Sequence, residues 1–151
     1  MLFRSGYTRF LETPTKMSIM GKTERHIARI DHSSLIRLFK DIYDGPRQIH
    51  AYLERPYTGK FVNAMLPGQR AFEATLVCLE MVGIEYTVVD SKEWQKAILG
   101  PIKGSAELKV ASYQKGIEMY PQFADVIKTH KDADGLLLAD RKSTRLNSSH
   151  T

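Results

Sequence analysis

Apolar and polar residues alternate from Gln48 to Glu54, with Ile49, Ala51 and Leu53 on one face. This period of two predicts a strand that ends at Glu54, because Arg55-Pro56 follows and a proline cannot donate to a ladder. The rhythm then changes. From Gly68 to Val82, Phe72, Leu76, Leu79 and Val82 recur at helical spacing, in a stripe widened by Val77, and Gly83 closes the helix. Leu35, Leu38, Phe39 and Ile42 make a similar stripe from Asp31 to about Tyr43, ended by Asp44-Gly45-Pro46.

Gly6 to Thr13 carries Tyr7, Phe10 and Leu11 and predicts a short strand stopped by Pro14, and Thr15 to Arg25 is read as a polar loop. Tyr57 to Pro67 is a second loop. Glu85 to Asp90 is a short β-branched strand, and Ser91 opens a helix to Leu99. After Gly100 to Gly104, Ser105 caps a helix through Met119, broken by Pro121. Ala124 to His130 makes a short helical turn. The last helix follows Asp132-Ala133-Asp134-Gly135 and runs through Leu136, Leu137, Leu138 and Ala139. Strand, helix, strand, helix and strand from Gly6 to Asp90 predict an α/β layer with parallel pairing, whose ligands sit at the carboxyl ends of the strands.

The length of 151 residues suits one domain, and 42% hydrophobic with 26% charged residues suits a soluble one. No apolar run approaches the roughly 20 residues of a membrane span, and the N-terminus lacks the basic, apolar and small-residue order of a signal peptide. A lone Cys78 within Thr75-Leu76-Val77-Cys78-Leu79 excludes an internal disulfide and reads as a buried, inert thiol in a reducing cytoplasm. The formal charge of +5 suggests a polyanionic partner until the ends are inspected. Arg141 to His150 resembles a translated short-read sequencing adapter, and Met1 to Ser5 resembles its complementary strand. Setting aside Arg4, Arg141, Lys142 and Arg145 lowers +5 to +1. On this reading residues 6–140 form a single, partial domain, residues 1–5 and 141–151 are not native, and the natural gene is cut at both ends.

The candidate chemistry lies in Glu54, which ends a strand, and in Asp132 and Asp134 at the mouth of an apolar helix. Carboxylates there could hold a metal, but Asp residues in a first turn also cap exposed N–H groups, and spacing alone favours capping. Asp31 and Asp90 also follow strands, yet amphipathic helices begin immediately after them, so both read as caps. No glycine-rich phosphate loop is present. Arg55, Lys60 and Arg70 flank the loop after Glu54 and could touch phosphates, or be ordinary solvated surface. Tyr57 and Phe61 could stack on an unpaired base or pack within the loop. Trp94 reads as a core anchor, and Lys103, Lys109 and Lys115 as a solvated face.

Four pieces in order carry a resemblance: Ile49-His50-Ala51-Tyr52-Leu53-Glu54-Arg55-Pro56, the helix Arg70 to Leu76, the stretch Val82 to Lys96, and His130-Lys131-Asp132-Ala133-Asp134-Gly135-Leu136. Together they resemble phage-type RuvC Holliday-junction resolvases of the ribonuclease-H-like superfamily, over about Tyr7 to Ala139. The resemblance implies an α/β fold with a mixed sheet flanked by helices. It also implies a homodimer using the Phe72 helix, cleavage of branched DNA such as a four-way junction, and two Mg²⁺ ions for which Mn²⁺ can substitute. Glu54 matches the family's strand-ending Glu, and Asp134 matches its last Asp. Where the family often has an acid or His three residues before that Asp, this chain has Lys131. Asp132 takes that place, or else His130, one helical turn before Asp134.

The family's first carboxylate, in an Asp-Pro-Gly motif on the central strand, has no counterpart here. The resemblance therefore implies that the first two strands are missing, that the surviving edges are prone to association, and that this chain is nearly inactive. The alternative is a non-catalytic α/β module that binds nucleic acid or a nucleotide, in which Glu54 and Asp134 are structural.

Overall fold

The computed structural model describes residues 2–4, 7–9, 11–22, 25–43 and 48–140. It is a mixed α/β chain that divides into two compact units, Glu12–Val88 and Met1–Leu11 with Val89–Thr151. Its strands are β1 (Leu2–Arg4), β2 (Tyr7–Arg9), β3 (Thr15–Met20), β4 (Arg25–Ile30), β5 (His50–Glu54) and β6 (Glu85–Val89). Its helices are α1 (His32–Ile42), α2 (Val62–Val82), α3 (Ser91–Leu99), α4 (Ser105–Met119), α5 (Ala124–His130) and α6 (134–140), with a 3₁₀ turn at Pro121–Phe123.

The expected single parallel layer is replaced, among the described residues, by three two-stranded sheets: β1–β2, β3–β4 and β5–β6. The first two are antiparallel hairpins. Thr15 to Arg25, expected as a loop, is mostly β3 and its turn into β4. The register pairs Thr15 with Ile30, Met17 with Ala28 and Ile19 with His26. Thr15, Met17 and Ile19 do alternate with Lys16 and Ser18, but Met17 and Ile19 are 66% and 64% exposed, so no buried face marked the strand. Among the described residues, the strand expected over Gly6 to Thr13 is present at Tyr7–Arg9. The stop expected at Asp44-Gly45-Pro46 lies outside the described residues.

In the unit Glu12–Val88, α1 packs on α2 and α2 on β4. Leu35 of α1, Cys78 and Leu79 of α2, and Ile84 are buried. Each large apolar side chain so buried contributes roughly 1.5–3 kcal/mol. Burial pushes the Cys78 thiol up, which keeps it protonated and unreactive. Cys78, rather than Val77, widens the buried stripe; Val77 sits one residue off that face and is exposed. Gly83 ends α2 in the left-handed region, at φ 84°. Its N–H donates to the Glu80 carbonyl, and that of Ile84 to the Leu79 carbonyl. Both bonds satisfy carbonyls that the helix would leave open.

Helix α2 begins at Val62, six residues before the expected start, and contains Pro67. The proline removes one N–H and leaves the Asn63 carbonyl without its helical donor. Both residues are exposed, so water can replace that bond. The first turn is held by the Ala64 N–H donating to the Phe61 carbonyl at 3.1 Å.

In the other unit, Tyr120, Ile127, Ala133 and Leu136 form a buried cluster flanked by Tyr113, Ile117 and Phe123. Leu136, Leu137 and Leu138 are all buried, so α6 is a core helix. Gly116 of α4 faces Ala133 so closely that a Cβ there would lie 2.4 Å from the Ala133 Cβ. Trp94 is buried as expected, and its indole Nε1 finds no acceptor among the described residues. Helix α4 takes Gly104, not Ser105, as its cap residue, and Ser105 is its first helical residue.

Candidate functional site

Glu54 is the last residue of β5, as the alternation predicted, and it is exposed. Arg55, Lys60 and Arg70 are exposed too. Tyr57 and Phe61 are 72% and 76% exposed, so the loop does not bury them. The Tyr57 ring lies over Gly59, whose N–H donates to the Met65 sulfur at 3.0 Å. The segment after Glu54 therefore presents two aromatic rings and two cations to solvent. Behind it, His50 of β5 reaches β6, with Nε2 2.8 Å from the Thr87 hydroxyl and Nδ1 3.9 Å from the Glu85 carboxylate.

Asp132 and Asp134 are brought together in the other unit. Asp132 accepts the Asp134 N–H at 2.8 Å, so it caps the start of α6. The Asp134 carboxylate accepts the hydroxyl of Ser112, a buried residue of α4. Sequence reasoning had no signal for Ser112: it lies mid-helix, 22 positions away in the chain. Asp134 is thus held from its own helix and from α4.

His130 does not lie one helical turn before Asp134 on a shared helix. Helix α5 ends at His130, Lys131 takes the left-handed conformation at φ 56°, and α6 starts afresh at residue 134. The break carries no glycine or proline, so the sequence pattern ran across it. Asp31 and Asp90 are helix caps, as read. Asp31 accepts both the N–H and the hydroxyl of Ser34, which hold its carboxyl below the usual range, the hydroxyl most strongly. Asp90 accepts the Lys92 N–H at 2.9 Å.

Carboxylate oxygens suit a hard divalent cation, and Glu54 lies in one compact unit while Asp132 and Asp134 lie in the other. Among the described residues, no three His, Cys, Asp or Glu side chains converge as a metal site, and no helix is long and apolar enough to cross a membrane. No protein-family model matches this chain, and no curated protein matches it.

Proposed function

We propose that this chain carries most of a RuvC-like, ribonuclease-H-like nuclease domain. Its intact form would be a Mg²⁺-dependent homodimer that resolves four-way DNA junctions in the cytoplasm of a bacterial or phage-infected cell. The observation that carries this reading is Glu54: an exposed carboxylate ending a strand, followed directly by exposed Arg55, Tyr57, Lys60 and Phe61. An acid beside cations and open aromatic rings suits a surface that handles a nucleic-acid backbone and its bases.

In this reading Glu54 would hold one ion and Asp134 the other, with Asp132 or His130 assisting. Arg55, Lys60 and Arg70 meet phosphates. Bound Mg²⁺ would supply the chemistry of an activated water and a stabilised leaving oxygen. The residues present provide only part of that donor set, because the sequence contains no Asp-Pro-Gly. This chain alone is therefore expected to bind junction DNA and to cleave it poorly or not at all.

One observation favours the non-catalytic binding module instead. Asp132 caps α6, and Asp134 is tied to Ser112, so both have structural work without a metal. Junction binding with and without a divalent ion separates the two readings. Ca²⁺ or Mg²⁺ should tighten binding of the 1–151 chain to a four-way junction, and Glu54→Gln should remove that dependence. Binding indifferent to both the ion and the substitution would leave the module.

A further inference from the structure

Two cations oppose each other across the β3–β4 hairpin. The register sets Lys16 directly opposite Arg29, so both side chains leave the same face, with Cβ atoms about 4.5–5.5 Å apart. Like charges so placed weaken a strand pair. Arg37 of α1 is a third cation close by. Its guanidinium donates to the Ser34 hydroxyl at 3.2 Å, and that hydroxyl donates to the Asp31 carboxylate at 2.9 Å. The Asp31 N–H donates to the Pro14 carbonyl at 2.9 Å, which fastens the start of α1 to the base of the hairpin. After the two Ser34 bonds, the charges of Lys16 and Arg37 further lower the Asp31 carboxyl, so both stand near it. Asp31 is already committed to Ser34. Among the described residues none of the three cations forms an ion pair, although Glu12 and Asp41 are near in the chain. Arg29 and Arg37 are exposed and Lys16 is half-buried.

We infer that Lys16, Arg29 and Arg37 form a contact for the phosphates of a nucleic-acid backbone, additional to Arg55, Lys60 and Arg70. The choice of nucleic acid as the partner rests on the reading proposed above; the cluster of unpaired cations does not. A phosphate seated between Lys16 and Arg29 turns their mutual repulsion into two attractions. The guanidinium groups of Arg29 and Arg37 offer planar forks of N–H donors that match phosphate oxygens, and Lys16 adds a compact point charge. Such contacts position a duplex without reading its sequence. The cluster therefore serves affinity and orientation on any duplex arm, and each contact makes binding more sensitive to salt. The opposed pair costs stability in the free chain and is relieved when the ligand arrives, as in other sites where function is traded against stability.

Binding of the 1–151 chain to a short blunt-ended DNA duplex with no branch, measured between about 50 and 200 mM salt, tests it. The wild-type chain should bind, and Lys16→Ala, Arg29→Ala and Arg37→Ala should each lower the slope of log affinity against log salt by about 0.9. Lys16→Glu gives the diagnostic split. It should weaken duplex binding while leaving the melting temperature at or above that of the wild type, because it places opposite charges across the hairpin. No duplex binding by the wild type, or a salt slope indifferent to all three alanine variants, would overturn the inference. So would a lower melting temperature in Lys16→Glu, or binding through these residues to anionic phosphatidylserine vesicles and not to the duplex. Duplex binding through the cluster with no preference for a four-way junction would uphold this contact and sink the nuclease reading. Junction preference that needs Glu54, with the full salt slope kept in the three variants, would do the reverse.

Discussion

The hydroxyl of Ser112, buried on α4, donates to the carboxylate of Asp134 at the start of α6. This bond ties the most pointed acidic residue of the sequence to the neighbouring helix α4. A hydrogen-bonded carboxylate of this kind suits a metal ligand held in orientation, and equally suits a helix anchored to its core. Ser112→Ala should cost about 1–3 kcal/mol in urea unfolding, since it leaves a partly buried carboxylate short of a donor. A double-mutant cycle with Asp134→Asn should show coupling; strictly additive losses would mean that the bond contributes nothing.

Gly116 is the tightest point between α4 and Ala133. Alanine is the better helix former by about 1 kcal/mol, so propensity alone predicts that Gly116→Ala stabilises the chain. The 2.4 Å approach to the Ala133 Cβ decides against that. Gly116→Ala should destabilise by about 1–3 kcal/mol through overpacking, and Ala133→Gly in the same chain should recover part of the loss. Thermal unfolding of the two single variants and the double variant measures both effects.

Asp31 makes stability depend on acid. Its pKa is lowered in the fold, first by the Ser34 hydroxyl and then by the Ser34 N–H. The bound carboxylate therefore stabilises the fold fully above the ordinary Asp value of about 3.9, and that contribution is lost as pH falls through the folded value. Asp31→Asn keeps an acceptor at the cap without a charge. Melting curves between about pH 2 and pH 5 should show a shallower acid limb for this variant than for the wild type.

Tyr120 acts at the other end of the scale. Burial pushes its phenol well above the ordinary range, and its hydrogen bond to Asp140 adds to the shift. A raised folded pKa means that this contribution is complete below the ordinary value of about 10 and is lost as pH rises through the folded one. Tyr120→Phe should cost about 1–2 kcal/mol near neutrality, from the lost bond to a charged acceptor. It should also flatten the alkaline limb of stability, as followed by circular dichroism above about pH 10.

Helices with sharp chemical boundaries were legible in the sequence. Asp31 and Asp90 announced α1 and α3, Gly83 announced the end of α2, and the run Leu136 to Leu138 announced a core helix. Elements without a buried face or with a misleading residue were not. β3 keeps Met17 and Ile19 in solvent, so its alternation looked incidental. Pro67 hid the first turns of α2, whose exposed backbone can be hydrated. Lys131 breaks the helix between His130 and Asp134 in a conformation that its side chain does not advertise. Of the candidate site, the place of Glu54 at a strand end was readable from alternation alone. The hold on Asp134 was not, because no local pattern connects it to Ser112.

In the proposed nuclease, Glu54 and Asp134 bind divalent ions. Titration of Mn²⁺ into the 1–151 chain, followed by the loss of the free-ion electron paramagnetic resonance signal, tests it without needing cleavage. Binding should weaken by about tenfold or more in Glu54→Gln and again in Asp134→Asn, with Mg²⁺ competing. Equal Mn²⁺ binding by the wild type and both variants, or none by the folded wild type, would contradict it and leave both carboxylates as structural groups.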